Sequence, residues 1–181
     1  MRRIFIAINL PGEIKQEIVE LQKKLKKFDW PVRWSAIDNF HLTLRFLGSM
    51  TDQEVEEVKN IVEPAVKGIS PFTLNLNGFI VLPSLEAPRV IGLSLKDNEA
   101  LFNLQNNIAG PVEEQGIGEP ERFPFNGHIT IGRLEPVKVN FRALTRLQFK
   151  GSFEVRSVEI MESALKPEGP VYSTVESFQL K

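Results

Sequence analysis

The chain has 181 residues, of which 42% are hydrophobic and 25% are charged, and its formal net charge is −1. This composition excludes a disordered or fibrous protein, and the near-neutral charge excludes one that holds nucleic acid by bulk electrostatic attraction. Cysteine is absent, which excludes disulfides and thiolate metal sites and agrees with a location in the cytoplasm.

The first elements in the chain are a predicted strand and a predicted helix. The apolar run from Ile4 to Leu10 indicates a buried strand rather than a signal peptide, because Pro11 and charged residues follow it and no cleavage site does. The next segment carries aliphatic side chains at the spacing of one helical face: Ile14, Leu21 and Leu25. No stretch of the sequence is long enough to span a bilayer, so we expect no membrane partner.

The next predicted strand contains the phrase Phe40-His41-Leu42-Thr43-Leu44. Because side chains alternate across a strand, one face is predicted to carry three polar residues, His41, Thr43 and Arg45. The capping box Thr51-Asp52-Gln53-Glu54 then predicts a helix that runs to Gly68, with Pro64 kinking or shortening its last turns.

The second half of the chain repeats this order. The phrase Gly127-His128-Ile129-Thr130-Ile131 follows the first histidine phrase at an offset of 87 positions, and the two phrases contain both histidines of the chain. At the same offset the first strand falls on Ile91 to Leu95, and the first helix falls on aliphatic residues of helical spacing: Leu101, Ile108 and Val112. We therefore expect a single pseudo-duplicated domain over residues 1–181.

The remaining predicted elements are a helix from Asn140 to Gly151 and three strands: Phe72 to Leu82, Ser152 to Leu165 and Thr174 to Leu180. Together the elements predict an α+β fold with two pseudo-symmetric lobes, each an antiparallel sheet flanked by helices, and an active-site cleft between the lobes. Such symmetry would bring both imidazoles and both hydroxyls to one small volume.

Two imidazoles and two hydroxyls suit phosphoryl transfer. With an ordinary pKa of about 6.5, one histidine can remove a proton while the other, protonated, supplies one. Threonine hydroxyls donate hydrogen bonds to the non-bridging oxygens of a phosphate, where negative charge accumulates. The sequence has neither the Gly-x-Ser-x-Gly turn of serine hydrolases nor a glycine-rich nucleotide loop.

A metal site is the main alternative use of two histidines. A catalytic zinc ion needs three protein ligands, so Asp38 or Glu135 would have to complete the set. In the facial triad of non-haem iron a carboxylate stands two residues after the first histidine, where both phrases have threonine. We therefore expect no metal and no other cofactor.

The paired phrases resemble the signatures of the two-histidine (2H) phosphoesterase superfamily. Four segments are similar to its RNA 2′,3′-cyclic phosphodiesterase branch, historically called 2′-5′ RNA ligase: Phe40 to Gly48, His128 to Arg133, Arg3 to Pro11 and Leu165 to Tyr172. The resemblance covers essentially the whole chain. It implies an enzyme that hydrolyses the 2′,3′-cyclic phosphate of an RNA end to a 2′-phosphate without metal, and we expect a cytoplasmic monomer with no obligatory protein partner.

The resemblance also implies a role for each residue of the paired phrases. His128 would accept the proton of the attacking water, His41 would donate a proton to the departing 3′ oxygen, and Thr43 and Thr130 would hold the phosphate. The sequence alone leaves open which histidine is the base. Attack by a 5′ hydroxyl in place of water would join two RNA ends, so weak 2′-5′ ligation would accompany hydrolysis.

Two arginines are further candidates for substrate binding. Arg133 matches an arginine that follows the second signature in the family, but strict alternation turns it away from His128 unless Gly132 ends or bulges the strand. Arg45 lies on the predicted histidine face, where it either meets a phosphate or faces solvent. Aromatic residues near predicted loops and strand ends either stack a terminal base or pack in the core: Trp34, Phe79, Phe123, Phe125 and Tyr172.

Two other functions fit the same residues. The chain is either a phosphodiesterase for a different small substrate, such as a cyclic nucleotide or an ADP-ribose cyclic phosphate, or an RNA-end binding module without turnover. An assay of RNA oligomers against mononucleotide cyclic phosphates separates the first alternative, and binding without hydrolysis over a wide pH range would favour the second.

Overall fold

The computed structural model describes residues 1–121, 123–135, 139, 141, 144, 147–167 and 169–181. Within these residues there are three α-helices, a short 3₁₀ helix at Ile37–Asn39 and nine strands. The helices are α1 (Gly12–Lys26), α2 (Asp52–Val66) and α3 (Glu99–Glu114). The strands are β1 (Arg2–Asn9), β2 (Val32–Trp34), β3 (His41–Met50), β4 (Phe72–Leu82), β5 (Val90–Leu95), β6 (His128–Leu134), β7 (Lys150–Val155), β8 (Ser157–Lys166) and β9 (Gly169–Gln179).

The described strands form one antiparallel sheet in the order β7-β4-β5-β6-β3-β1-β8-β9, and β2 adds to it by pairing with β6. The predicted α+β fold class is therefore confirmed. The two halves of the sheet, β7-β4-β5-β6 and β3-β1-β8-β9, meet where Leu42 of β3 pairs with Ile129 of β6. The halves are thus hydrogen-bonded to each other at the histidine strands, which the sequence pattern did not predict.

The helices begin and end close to where local signals predict. The capping box of α2 is present: the Thr51 backbone N–H donates to the Glu54 carboxylate at 2.6 Å, and the Glu54 N–H donates to the Thr51 hydroxyl at 3.3 Å. Pro64 lies in the last turn of α2, which ends at Val66, two residues before Gly68. In the described part of the chain, no helix is long and apolar enough to cross a lipid bilayer.

The main core lies on one face of the sheet and includes the three helices. Alternate residues of β1, namely Ile4, Ile6 and Ile8, point into this core and are at most 1% exposed. The intervening Phe5 and Ala7 pack with Met161 in a small separate cluster on the other face. Full burial of each large aliphatic side chain stabilises the fold by about 1.5–3 kcal/mol, so this alternation determines which face remains open for a site.

The starts of α1 and α3 lie 87 residues apart, the same offset as the two histidines. This spacing supports the pseudo-duplicated single domain, which stays a prediction. At this offset α3 corresponds to α1, as the aliphatic spacing predicted. The 87-residue offset therefore relates the helix starts as well as the histidine phrases.

The last predicted strand, Thr174 to Leu180, corresponds to β9 (Gly169–Gln179), which begins five residues earlier, and two further predicted elements after β6 also differ from the structure. Five of the twelve residues of the predicted helix between Asn140 and Gly151 lie outside the described residues, but its end is wrong because Gly151 belongs to β7. The predicted strand from Ser152 to Leu165 is two strands, which break at Arg156. Both differences have one cause: β7 pairs with β4 on the far edge of the sheet, and β8 pairs with β1, so distant partners decide these boundaries.

Candidate active site

The first histidine strand contains a β-bulge directly after Thr43. In the pairing of β3 with β1, Thr43 opposes Ala7 and Arg45 opposes Ile6, which leaves Leu44 as an extra residue. A bulge shifts the alternation of every residue that follows it. Arg45 therefore turns into the protein interior, where it is 2% exposed, and the next residue turns to the face of His41 and Thr43.

The second histidine strand contains the same bulge at the equivalent position. In the pairing of β6 with β5, Thr130 opposes Gly92 and Gly132 opposes Ile91, which leaves Ile131 as an extra residue. Arg133 is exposed as a result and shares the face of Thr130. The bulge on which the placement of Arg133 depends is therefore present, one residue before the expected Gly132.

Gly132 has a different role from the one expected. A Cβ atom at this position would lie 2.4 Å from Val32 Cγ1 and 3.2 Å from a ring carbon of Trp34. Because both neighbours belong to β2, a side chain here would push β2 away from β6. The glycine therefore admits the short strand that carries Arg33 and Trp34 to the site.

Two buried glutamines contact the bulges, each from a helix in the opposite half of the chain. Gln22 of α1 donates through Nε2 to the carbonyl of Ile131 at 2.8 Å and to that of Ser35 at 2.9 Å. Gln105 of α3 donates to the carbonyl of Leu44 at 3.5 Å. Each glutamine is at most 5% exposed, and neither was predicted from the sequence as a residue that supports the site. The sequence contained one signal that could have found them: in each helix, a polar glutamine stands at a position whose spacing predicts burial.

Both histidines are held by the same backbone contact. The Nδ1 atom of His41 lies 2.9 Å from the carbonyl oxygen of Asn39, and that of His128 lies 2.7 Å from the carbonyl oxygen of Asn126. Because a carbonyl oxygen only accepts hydrogen bonds, Nδ1 carries the proton in both rings. The Nε2 atom is thereby left for chemistry in each case. The repeated phrase is therefore Asn-x-His-x-Thr, one residue type more than the sequence analysis identified.

His41 occupies an aromatic setting. Its ring centroid lies 4.9 Å from that of Phe5 and 5.1 Å from that of Tyr172, with the Tyr172 ring nearly perpendicular at 85°. Its Nε2 atom is 3.1 Å from the hydroxyl of Thr43, which donates to the neutral ring. The ring is thus positioned by contacts on two sides and at both nitrogens.

Burial lowers the pKa of both histidines. Desolvation lowers the pKa of His41 to about 4, against the contact with the Asn39 carbonyl, which raises it; Lys15, Arg133 and His128 lower it further. The pKa of His128 is also lowered, mainly by desolvation and additionally by Arg133. Both rings are therefore neutral at pH 7 without a ligand. A bound anion would favour the charged form of either ring.

The two histidine phrases meet at one cavity of about 290 Å³, here named the histidine cavity. Its lining includes His41, Thr43, His128 and Thr130, together with Arg133. Since β3 and β6 run antiparallel through the Leu42–Ile129 pair, each histidine lies toward the threonine of the other strand. The structure therefore brings together five of the six residues proposed for the site.

Arg45 is the candidate that the structure does not bring to the cavity. Its Nη1 atom forms an ion pair with the Glu121 carboxylate at 3.2 Å, and its Nη2 atom donates to the Glu119 carbonyl at 3.2 Å. The expectation that Arg45 shares the face of His41 is wrong because the bulge at Leu44 reverses the alternation. Arg45 instead ties the segment around Glu119 to β3.

The aromatic candidates divide between the cavity and the core. Trp34 and Tyr172 line the histidine cavity, whereas Phe79 and Phe125 pack against the main core. Phe123 is 77% exposed and does not line the cavity. Within the described residues, there is no group of three or more histidine, cysteine, aspartate or glutamate side chains that could hold a metal ion.

The chain is similar to proteins of known activity over nearly its whole length. A family model described as LigT like Phosphoesterase matches residues 8–92. The RNA 2′,3′-cyclic phosphodiesterase of Aquifex aeolicus is 31% identical over 171 residues, which cover 91% of this chain and 90% of that protein. The protein of the same name from Thermus thermophilus is 30% identical over 186 residues, covering 99% of this chain and 90% of that protein.

The crystal structure of E. coli LigT complexed with 3′-AMP has the same fold, with a TM-score of 0.83 at 25% identity and coverage of 99% of this chain and 98% of that one. The fold and the paired histidine strands thus define a phosphoesterase of the two-histidine class. Within that class, the matches above show that the chain belongs to the LigT-like phosphoesterase family.

Proposed function

We propose that this protein hydrolyses the 2′,3′-cyclic phosphate of RNA ends to a 2′-phosphomonoester. The observation that carries the proposal is the convergence of two His-x-Thr pairs and Arg133 on one cavity. The RNA 2′,3′-cyclic phosphodiesterases that are about 30% identical over the whole chain support the choice of substrate. The same proposal includes a cytoplasmic monomer that acts without metal, cofactor or protein partner.

The reaction is an in-line displacement at phosphorus that uses both Nε2 atoms. His128 accepts a proton from water as the water oxygen bonds to phosphorus, and the bond from phosphorus to the 3′ oxygen breaks. His41 donates its Nε2 proton to that 3′ oxygen, which leaves as a hydroxyl. The product is a 2′-phosphate beside a free 3′ hydroxyl, and the two imidazoles return to their starting states by proton exchange with solvent.

The remaining residues stabilise the charge that builds up on the phosphate. Thr43 and Thr130 donate hydrogen bonds to its non-bridging oxygens, and Arg133 contributes a positive charge on the same side. The hydroxyl of Thr43 faces His41 Nε2 in the ligand-free protein, so phosphate binding requires it to turn to an oxygen of the substrate.

The bound substrate favours the protonated form of His41 that the reaction needs, and the proton itself comes from solvent. The pKa of His41 is about 4 without a ligand, so the acid form is scarce at pH 7. The anionic cyclic phosphate favours an imidazolium beside it and raises this pKa. When a 5′ hydroxyl takes the place of water, His128 accepts its proton and His41 again protonates the departing 3′ oxygen, so the same roles give a 2′-5′ phosphodiester and support weak 2′-5′ ligation as a side reaction.

An assay with an RNA oligomer that ends in a 2′,3′-cyclic phosphate tests the proposal. We expect a 2′-phosphomonoester as the product, at the same rate with and without excess chelator. A 3′-phosphate product would contradict the assigned leaving group, and loss of activity that zinc or manganese restores would contradict metal-free chemistry. Tight binding of the RNA end with no turnover at any pH would instead identify a binding module.

A further inference from the structure

The hairpin of β8 and β9 extends beyond the rest of the sheet. The pairing of β8 with β1 ends where Ser163 opposes Arg3, but β8 and β9 remain paired as far as Lys166 and Gly169. Residues 164–167 of the outgoing strand are exposed. Among the described strands, this end of the hairpin is therefore supported by its own two strands only, and a fixed position over the protein needs a further contact.

The returning strand of this hairpin forms one wall of the histidine cavity. Residues 169–172 all line the cavity, and we name them the hairpin wall. Within the wall, Pro170 and Tyr172 are half-buried. The ring centroid of Tyr172 lies 5.1 Å from that of His41. The position of the hairpin wall therefore determines how much of the His41 ring is covered on this side.

Asn39 connects the hairpin wall to His41. Its side-chain Nδ2 atom donates to the carbonyl oxygen of Pro170 at 2.9 Å, and its own carbonyl oxygen lies 2.9 Å from Nδ1 of His41. Proline has no N–H to donate to a neighbouring strand, so on an edge strand it suits a position that faces away from the sheet, where its carbonyl needs a donor from elsewhere. Within the described part of the chain, no other hydrogen bond joins residues 164–171 to an element outside the hairpin.

The equivalent asparagine beside His128 separates the role of the amide from that of the carbonyl. Asn126 lies 87 positions after Asn39, and its carbonyl oxygen makes the same contact with His128. That contact uses a backbone atom, so it does not require an asparagine side chain. Asn126 is exposed, whereas Asn39 is half-buried with its amide against Pro170. The amide of Asn39 therefore serves the hairpin wall rather than the carbonyl contact.

We propose that Asn39 is a positioning residue: its amide holds the hairpin wall against His41 and thereby fixes this imidazole in the histidine cavity. For its effect on catalysis the inference rests on the proposed function, whereas the position of the ring does not depend on any reaction. A ring that is already held in place loses less orientational freedom when it acts on a bound phosphate. Loss of the amide should therefore affect His41 and leave His128 as it is.

NMR titration of the ligand-free protein follows both histidines in one experiment, because the chain contains only these two. Desolvation is the main cause that lowers the pKa of His41 to about 4, and Lys15 of α1 and Arg133 and His128 of β6 lower it further. Asn39→Ala keeps those three groups and the carbonyl contact but releases the hairpin wall. We therefore expect the pKa of His41 to rise toward its ordinary value of about 6.5, and that of His128 to remain unchanged as an internal reference.

Three further variants test the origin of this shift. Asn39→Gln retains an amide donor and should keep the pKa of His41 low. Asn39→Ser stays polar but has a shorter side chain, so it should raise the pKa of His41 as Asn39→Ala does. Asn126→Ala, the equivalent change beside His128, should leave the pKa of His41 unchanged. Urea denaturation checks that each variant is folded under the conditions of the titration.

The rate of hydrolysis of a 2′,3′-cyclic phosphate provides the second readout. For Asn39→Ala we expect kcat at its optimal pH to fall by roughly two- to tenfold, the equivalent of one net hydrogen bond, with KM little changed. The optimum of kcat/KM should move to higher pH, because the pKa of His41 rises. Partial unfolding would instead lower the rate at every pH without moving the optimum. Asn107→Ala, which removes an exposed amide on α3, is the matched control and should leave the rate and the optimum unchanged.

The outcomes separate this inference from the proposed function. An unchanged pKa of His41 in Asn39→Ala and Asn39→Ser would overturn the inference and leave the proposed function standing. An equal rise for both histidines would also overturn it, because the whole cavity would then have loosened. A higher KM with an unchanged pKa would show that Asn39 binds the substrate itself, against the inference. If no cyclic phosphate is hydrolysed, the proposed function fails, and the titration still decides whether Asn39 holds the hairpin wall against His41.

Discussion

The two histidine strands share a backbone arrangement and differ in what surrounds it. In both strands the histidine Nδ1 atom contacts the carbonyl of an asparagine two residues earlier, and a bulge follows the threonine. The second residue after the bulged one differs, because β3 turns Phe46 to the cavity face whereas β6 turns Arg133 there. The shared part can position two imidazoles, and the unshared part makes the two sides of the cavity chemically unequal.

The imidazoles themselves also differ. His41 packs between Phe5 and Tyr172 and has its Nε2 atom against Thr43, and its pKa falls to about 4. No aromatic contact of this kind is found for His128 among the described residues, and burial lowers its pKa as well. An acid and a base made from one residue type need such a difference in surroundings. The comparison therefore supports a division of labour but does not by itself assign the two roles.

Removing either imidazole ring should have the greatest effect on the rate. We expect His41→Ala and His128→Ala each to lower kcat by about a hundred- to ten-thousandfold, the range for general acid–base catalysis. The kcat of the double variant should be only slightly lower than that of the less active single variant, because the two groups act in one step. Steady-state rates on the cyclic phosphate measure this.

Unfolding by urea should show that the three histidine variants remain folded under the assay conditions. If one of the single variants kept nearly full activity, its histidine would be neither the acid nor the base. The other ring would then have to act with water alone, and the reaction would not require a pair of histidines.

The pH dependence of the rate reports how the two imidazoles differ, and we expect it to have a smaller effect than the loss of either ring. The reactive form of the free protein has one imidazole protonated and the other neutral. Since the pKa of His41 is about 4 and that of His128 is below 6.5, we expect kcat/KM to peak below pH 6.5 and to fall as the pH rises and both rings lose their protons. The optimum of kcat, which reports the complex, should lie at higher pH because the bound anion favours the imidazolium.

Rate measurements between pH 4 and pH 9 in buffers of constant ionic strength test this expectation. An optimum of kcat/KM above pH 7 would contradict the lowered pKa values. Coinciding optima for kcat and kcat/KM would contradict the role of the substrate in protonating His41.

Substitution of either buried glutamine should have the smallest effect, and the loss in the free energy of unfolding should differ between the two bulges. Gln22→Met removes two hydrogen bonds of 2.8 and 2.9 Å to buried carbonyls and should lower the free energy of unfolding by about 1–3 kcal/mol. Gln105→Met removes one contact of 3.5 Å and should cost less than about 1 kcal/mol. Urea denaturation measures both losses, and equal values would show that the glutamines do not hold the bulges in the way the distances indicate.

The predictions that came from local patterns agree with the structure. The aliphatic spacing of α1 and α3 and the capping box at Thr51 depend on neighbours within a turn or two, so the sequence contains the necessary information. The boundaries of β7 and β8 depend on pairing with β4 and β1, which are far away in the chain. The prediction of a helix ending at Gly151 was wrong for that reason.

The same distinction separates the predicted site from the observed one. The doubled His-x-Thr phrase was sufficient to name four residues that the fold brings to one cavity. Strict alternation then assigned Arg45 to that cavity and left Arg133 conditional on a change in the strand. The bulges exchange these positions, and they occur where β3 and β6 pair with β1 and β5 and where glutamines from distant helices take up the carbonyls.

By itself, the sequence determined the kinds of chemical group present and their duplication: two imidazoles, each with a hydroxyl two residues later, in strands of alternating polarity. Tertiary contacts alone decide which side chains beyond the threonines line the cavity and how deeply each imidazole is buried. The physical reason is that alternation is a property of one strand, whereas a bulge, a desolvated ring and a cavity are created by partners that lie far apart along the chain.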